Sequence, residues 1–156
     1  EVVGILDEIF TAFDERAISV DLEKIKTIGD AYMMAGGLHQ EEDPADAARR
    51  VVAAGVDFFG LVEQVNRAHG ISLGLRVGVH SGPIIAGVIG RRRLSYDLWG
   101  DTVNLASRME SHGVVGHLQL SGATLALVGE SPQMQARGSI EVKGHGPMET
   151  WLISVC

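Results

Sequence analysis

Residues 96–108 read Tyr-Asp-Leu-Trp-Gly-Asp-Thr-Val-Asn-Leu-Ala-Ser-Arg, and this stretch decides the local fold of the chain. Its middle part predicts a helix over 102–111, with Asp101 as the N-terminal cap. On that helix Asn104 and Arg108 are four residues apart and therefore share one face. An amide and a guanidinium on one face suit a ribose and a phosphate better than they suit a hydrophobic core.

A second stretch, residues 23–33, reads Glu-Lys-Ile-Lys-Thr-Ile-Gly-Asp-Ala-Tyr-Met. It predicts two short strands within 23–36, joined by a Gly-Asp turn from which Asp30 projects at the end of a sheet. Gly-Asp pairs are common in hairpin turns. Taken alone, these residues are therefore better interpreted as a plain turn aspartate and, in Lys26, an ordinary surface lysine.

The rest of the sequence predicts a mixture of helices and strands, most of the strands being linked as hairpins. The predicted helices are 2–14, a long one from an Asp43 cap and Pro44 to about Ala68, and 123–128; the predicted strands are 73–80, 84–89, 94–98, 117–120, 139–142 and 149–153, with a solvated arginine turn at 91–93. This order predicts an α+β sandwich rather than a doubly wound parallel sheet.

Length and composition narrow the class of protein. A chain of 156 residues, 46% of them hydrophobic, predicts a single compact domain over 1–156. The net charge of −7 argues against a nucleic-acid partner, which requires a basic face. The single Cys156 excludes an internal disulfide. No apolar run approaches a membrane span and no signal peptide is visible, so we expect a cytoplasmic domain; this leaves room for a membrane tether outside the sequence.

Together, the two motifs closely resemble the catalytic domain of class III nucleotide cyclases, the adenylyl and guanylyl cyclases. The resemblance runs from residue 1 to the final hairpin and includes the segment His-Ser-Gly-Pro at 80–83. It implies a ferredoxin-like α+β core. The family pattern begins with a strand of the type Phe-x-Asp-Ile-x-Gly-Phe, which carries one metal-binding aspartate. This sequence opens in the helix that follows, so we expect it to lack the first strand and to be N-terminally incomplete.

The resemblance assigns base recognition to Lys26 and Asp97. Adenine offers an acceptor at N1 and donors at its 6-amino group, whereas guanine reverses both. A lysine donor with an aspartate acceptor therefore matches adenine, and guanylyl cyclases carry Glu where Lys26 stands. The pair implies an adenylyl cyclase, with ATP as substrate and cyclic AMP and pyrophosphate as products.

The resemblance also implies the remaining site residues. Asn104 would hold the ribose and orient its 3′-oxygen, and Arg108 would stabilise charge on the α-phosphate; these are the two predicted catalytic residues. Lys143, in Val-Lys-Gly-His-Gly-Pro, would contact the terminal phosphates, while His145 replaces a second lysine of the usual pattern and receives no role. Asp30 would be one of two aspartates that bind two Mg²⁺ or Mn²⁺ ions per site.

A homodimer follows from how these residues divide in the family. Asp30 belongs to the metal-holding wall of a site and the other five residues to the opposite wall, so one chain with both sets implies two composite sites at a symmetric interface. Three alternatives stay open: a guanylyl cyclase, a catalytically silent regulatory or dimerisation module, and a nucleic-acid-binding α+β module.

Overall fold

The computed structural model describes residues 2–39, 41–89 and 95–155. Within these ranges the helices are α1 Val2–Ser19, α2 Pro44–His69, α3 Asp101–Ser111 and α4 Gly122–Val128. The strands are β1 Glu23–Ile28, β2 Ala31–Ala35, β3 Val77–Val79, β4 Ile85–Ile89, β5 Ser95–Trp99, β6 His117–Ser121, β7 Met134–Val142 and β8 Gly146–Ser154.

The described strands form one four-stranded sheet and two separate hairpins. The sheet has the order β3-β6-β8-β7, in which β3 runs parallel to β6 and the other neighbours are antiparallel. The hairpins are β1–β2 and β4–β5. This mixture of helices and predominantly antiparallel pairs confirms the predicted α+β class.

Helix α2 lies at the centre of the core because it packs against both the sheet and α1. Val52 and Phe59 of α2 belong to a buried cluster with Leu118 and Leu120 of β6. A second cluster joins α1 and α2, with Phe13 and Phe58 stacked at 3.9 Å between ring centroids. Tyr32 of β2 meets both of those rings edge-on. The β1–β2 hairpin, which carries two predicted site residues, is therefore anchored to both helices.

The helix boundaries confirm some predictions and correct others. Helix α2 has the predicted limits: the Asp43 side chain accepts a hydrogen bond from the Ala45 N–H, and Gly70 ends the helix in the left-handed conformation. Helix α1 continues beyond the predicted end at residue 14 to Ser19, because Ala17 supplies one more buried position on the same face.

The predicted Asp101 cap of α3 is wrong. The cap position belongs to Gly100, and Asp101 is the first helical residue; no side-chain hydrogen bond caps this helix. Gly100 has φ 118° and ψ 177°, a conformation that is open essentially to glycine alone. Because this backbone geometry fixes where the helix begins, Asp101 is free to make a contact elsewhere.

Three strand predictions also need correction. The strand predicted over 73–80 is confined to Val77–Val79, because only these three residues have pairing partners on β6. Strand β7 begins at Met134 rather than at 139, because a bulge between Ala136 and Gly138 interrupts the alternation that marks a strand. Strand β8 begins at Gly146, earlier than the predicted 149. The turn predicted at 91–93 lies outside the described residues.

A cavity of about 390 Å³ separates the β1–β2 hairpin from the sheet. Its walls include Met33 and Ala35 of β2 and Val79 of β3. Among the described residues, β2 pairs with β1 alone and β3 with β6 alone, so each strand has an unpaired edge.

Helix α3 packs so closely against β3 that only a glycine fits at Gly78. A Cβ atom at that position would lie 2.1 Å from the backbone N of Glu110 and 2.5 Å from the backbone carbon of Met109. Backbone atoms of a buried helix cannot move aside cheaply. We expect Gly78→Ala to lower the free energy of unfolding by about 3 kcal/mol in urea titrations.

Gly60→Ala is the matched control for this change. Gly60 lies within α2, and a Cβ there would meet no atom within 4 Å. Alanine is the better helix former, so this variant should gain roughly 0.5–1 kcal/mol. Equal stability of the two variants would contradict the close packing of α3 on β3.

Candidate active site

Lys26 and Asp97 come together at the contact between the two hairpins. Lys26 is on β1, just after an irregularity in the β1–β2 register, and Asp97 is on β5. The distance from Lys26 Nζ to Asp97 Oδ2 is 2.9 Å. The Leu98 N–H donates to the other carboxylate oxygen at 2.8 Å. Two groups that are 71 positions apart in the sequence thus form one hydrogen-bonded pair.

The environment of Asp97 favours its ionised form. The hydrogen bond from Lys26 lowers the pKa of the Asp97 carboxyl, and the Leu98 N–H lowers it further against an opposing effect of burial. Asp97 is only 8% exposed. Because its pKa is depressed in the folded state, this pair stabilises the fold above the ordinary pKa of an aspartate, and the stabilisation is lost as the pH falls through the lowered value. Near neutral pH the site therefore presents a fixed donor beside a fixed acceptor.

Asn104 and Arg108 lie on the exposed face of α3, as predicted from their spacing. Leu105 and Met109 form the buried face of the same helix. Two hydrogen bonds fix the position of this helix. The Thr102 hydroxyl donates to the Pro83 carbonyl at 2.6 Å, and the buried Gln119 side chain donates to the Met109 carbonyl at 2.9 Å. The amide and the guanidinium therefore project from a rigid element towards solvent.

Lys143 is exposed in the turn between β7 and β8, as the predicted hairpin required. This turn is joined to α3 by His145, whose Nε2 lies 2.7 Å from Asp101 Oδ1. Sequence reasoning missed this contact. The motif assigned no role to His145, and the assumed capping function of Asp101 gave that carboxylate a different partner.

No contact in the described ranges joins Asp30 to the other five predicted residues. It follows Gly29, which has φ 59°, in the β1–β2 turn and is exposed. Among residues 2–39, 41–89 and 95–155, its side chain forms no hydrogen bond or ion pair with Lys26, Asp97 or any other group. Within one chain, no such contact ties Asp30 to the Lys26–Asp97 pair.

The side chains near Asp30 suit a metal ion that is shared with a substrate better than one that is enclosed by protein ligands. The described part of the chain contains no group of three His, Cys, Asp or Glu side chains that could enclose an ion. A single exposed carboxylate is nevertheless a suitable ligand for Mg²⁺, which retains several waters and completes its coordination with substrate phosphates. The residues present thus fit an ion shared with a bound nucleotide rather than a permanent metal centre.

His80 has a structural contact rather than a place among the site residues. Its Nδ1 lies 2.6 Å from the Ser121 hydroxyl, which links the end of β3 to the end of β6. Burial lowers the pKa of His80, with a smaller opposing effect from Asp101.

None of the helices in the described ranges has the length and apolarity needed to cross a bilayer.

Comparison with known proteins places these residues in context. Residues 1–155 match the family described as the adenylate and guanylate cyclase catalytic domain. The chain is 39% identical over 153 residues to an adenylate cyclase of Mycobacterium tuberculosis, with 98% of this chain and 34% of the relative covered. It is 40% identical over 159 residues to retinal guanylyl cyclase 2 of Bos taurus, with 98% and 14% covered. The chain thus spans about a third of the first relative and a smaller part of the second.

The fold of this chain is similar to that of a solved cyclase structure. The chain is similar to the catalytic core of a rhodopsin-guanylyl cyclase with converted specificity in complex with ATPαS, with a TM-score of 0.86 and 37% identity. The match covers 96% of this chain and 80% of that one. Relatives with both nucleotide specificities are therefore about equally similar to this chain, and overall similarity does not choose between them.

Proposed function

This chain belongs to the adenylate and guanylate cyclase catalytic domain family, and from that premise we propose that it converts ATP to 3′,5′-cyclic AMP and pyrophosphate. The observation that supports ATP as the substrate is the Lys26–Asp97 pair, with 2.9 Å between Nζ and Oδ2. The protein whose catalysis is proposed here is the whole polypeptide that contains this domain.

Base selection follows from the fixed roles of the two side chains. An ammonium group can only donate hydrogen bonds, and an ionised carboxylate can only accept them. With Lys26 at N1 of the purine and Asp97 at its 6-amino group, adenine satisfies both. Guanine in the same orientation presents a donor to the lysine and an acceptor to the aspartate. A site that leaves buried groups unpaired with the wrong base discriminates by large factors.

The chemical step requires little covalent participation by the protein. The ribose 3′-oxygen attacks the α-phosphorus, a new P–O bond forms, and the bond to the oxygen bridging to the β-phosphorus breaks. Its electron pair leaves with pyrophosphate, and the hydroxyl proton passes to solvent. Asn104 orients the ribose, and Arg108 stabilises the charge that grows on the α-phosphate in the transition state. Both side chains lie on the exposed face of α3.

The two ends of the substrate are held by different groups. Lys143 is exposed in the β7–β8 turn, and we assign to it the contact with the terminal phosphates. Asp30 would hold a divalent cation, Mg²⁺ or Mn²⁺, with a second ion completing the pair; when bound, such ions favour ionisation of the 3′-hydroxyl and neutralise the triphosphate.

We propose that the active form is a homodimer with two composite sites. Within the described ranges of one chain, no hydrogen bond or ion pair joins Asp30 to the other site residues, and a second copy could present its own Asp30 to them. Exposed apolar side chains lie on the same two hairpins as the Lys26–Asp97 pair: Ile28 is 66% exposed, Ile85 67% and Trp99 39%. Such a surface is typical of one that another chain covers.

Guanylate cyclase activity is the second candidate, because the chain is 40% identical to the bovine retinal guanylyl cyclase and 39% identical to the mycobacterial adenylate cyclase. Cyclic nucleotide formation from ATP and from GTP, measured separately with Mg²⁺ and Mn²⁺ on the full-length protein, decides between the two. We expect kcat/KM for ATP to exceed that for GTP by at least about 10²-fold. Cyclic GMP formed as efficiently as cyclic AMP would contradict the assignment. No product from either nucleotide would indicate a silent regulatory module.

A further inference from the structure

The contact between His145 and Asp101 connects two parts of the site that are far apart in the sequence. His145 Nε2 and Asp101 Oδ1 are 2.7 Å apart, although the residues are separated by 44 positions. One belongs to the turn that carries Lys143, and the other is the first residue of the helix that carries Asn104 and Arg108. The contact therefore links the turn proposed for the terminal phosphates to the helix proposed for the α-phosphate.

Backbone hydrogen bonds close the turn, with the His145 N–H donating to the Val142 carbonyl at 3.0 Å, and the contact with Asp101 joins the turn to α3. His145 is flanked by Gly144 and Gly146, with φ values of 87° and 77°, so its neighbours contribute no side chains to packing. The imidazole is 33% exposed, whereas Asp101 is 62% exposed. The better-covered ring of His145 thus anchors the turn on α3.

The charges around this contact are mixed. Asp101 also acts on His80, raising its pKa, while His145 acts in the opposite direction on the same group. Lys143 lies two residues before His145 on the turn. Asp101 therefore contacts one imidazole and acts electrostatically on a second, in a region that is proposed to receive a triphosphate.

We propose that His145 is a positioning residue: through Asp101 it holds the Lys143 turn against the first turn of α3 and so sets where the terminal phosphates bind. This inference rests on the proposed nucleotide site. It departs from the usual family pattern, in which a second lysine occupies the position of His145. The cation of that lysine is permanent, whereas an imidazole carries its charge only while it is protonated.

Binding of two nucleotide analogues to the full-length protein tests the proposal independently of turnover. The probes are 3′-deoxy-ATP, which cannot cyclise, and 3′-deoxy-AMP, which lacks the terminal phosphates; calorimetry in the presence of Mg²⁺ gives each Kd. We expect His145→Gln and Asp101→Asn to weaken triphosphate binding about three- to fivefold and to leave monophosphate binding unchanged. His145→Lys should bind the triphosphate within about twofold of the wild type.

The direction in which Asp101→Asn changes triphosphate affinity distinguishes a positioning role from none. Removing a carboxylate near an anionic ligand strengthens binding if that carboxylate has no positioning role. Unchanged or tighter triphosphate binding by Asp101→Asn would overturn the proposal, as would equal weakening for the monophosphate. The matched control is His69→Gln, which breaks a similar 2.7 Å pair with Glu8 on other elements. Specific nucleotide binding without cyclisation would contradict the proposed function and leave this inference standing.

Discussion

Replacing Lys26 with Glu and Asp97 with Cys together is expected to lower kcat/KM for ATP by about 10³-fold or more. The double change replaces the donor with an acceptor and removes the buried carboxylate, so adenine finds no matching partner at either position. The two substitutions belong together because Lys26→Glu alone would place two carboxylates at the 2.9 Å now spanned by the ion pair. Repulsion between the two carboxylates would destabilise the fold, so a loss of activity would not report on base recognition alone.

Lys24→Glu controls for the change of charge. Lys24 is also on β1, but its ammonium group faces Asp14 at 3.4 Å rather than Asp97. We expect this variant to retain its ATP turnover within about threefold, because exposed ion pairs contribute little. Steady-state kinetics with ATP and GTP, together with circular dichroism to establish folding, make the comparison. An unchanged ATP rate in the folded double variant would refute the assignment of Lys26 and Asp97 to base recognition.

Asn104→Ala is expected to lower kcat by about 10²- to 10³-fold while changing KM for ATP much less. The amide is proposed to orient the 3′-oxygen as the new P–O bond forms, so its contribution appears in the transition state rather than in substrate binding. Ser107→Ala is the control on the same helix, since Ser107 is exposed and outside the proposed site. A large rise in KM with kcat intact would assign Asn104 to binding instead.

Asp30→Ala should also lose nearly all of its activity, for a different reason: the wall of the site that holds the metal would lack its carboxylate. The two variants thus have lesions on opposite walls of the proposed site. Each is predicted to be inactive as a pure preparation, and each leaves the other wall intact.

Elements bounded by strong local signals were predictable from the sequence. Asp43 and Pro44 at the start of α2 and Gly70 at its end are backbone requirements that the chain satisfies locally. The true limits of β3 and β7 were not predictable, because they depend on pairing partners and on the bulge near Gly138. A period-two pattern shows which residues can form a strand and does not show where a neighbour is present.

The candidate site shows the same division. Spacing alone predicted that Asn104 and Arg108 share a helix face, since helix geometry is local. The Lys26–Asp97 contact came from the resemblance to a family and not from spacing, because 71 residues separate the partners. The His145–Asp101 contact was missed altogether. This contact forms between the glycine-flanked β7–β8 turn and the start of α3. The period of hydrophobic residues in the sequence does not predict which turn lies beside which helix.

Mixing the Asp30→Ala and Asn104→Ala chains tests the central claim most directly, namely that two copies build each site together. At equal amounts and random exchange, half of the dimers are mixed and each has one intact site, so about a quarter of the wild-type activity should return. Mixing Asn104→Ala with Arg108→Ala is the control, since both lesions lie on one wall and neither site is restored. No recovery in the first mixture, with mixed dimers demonstrated by differently tagged chains, would contradict the account.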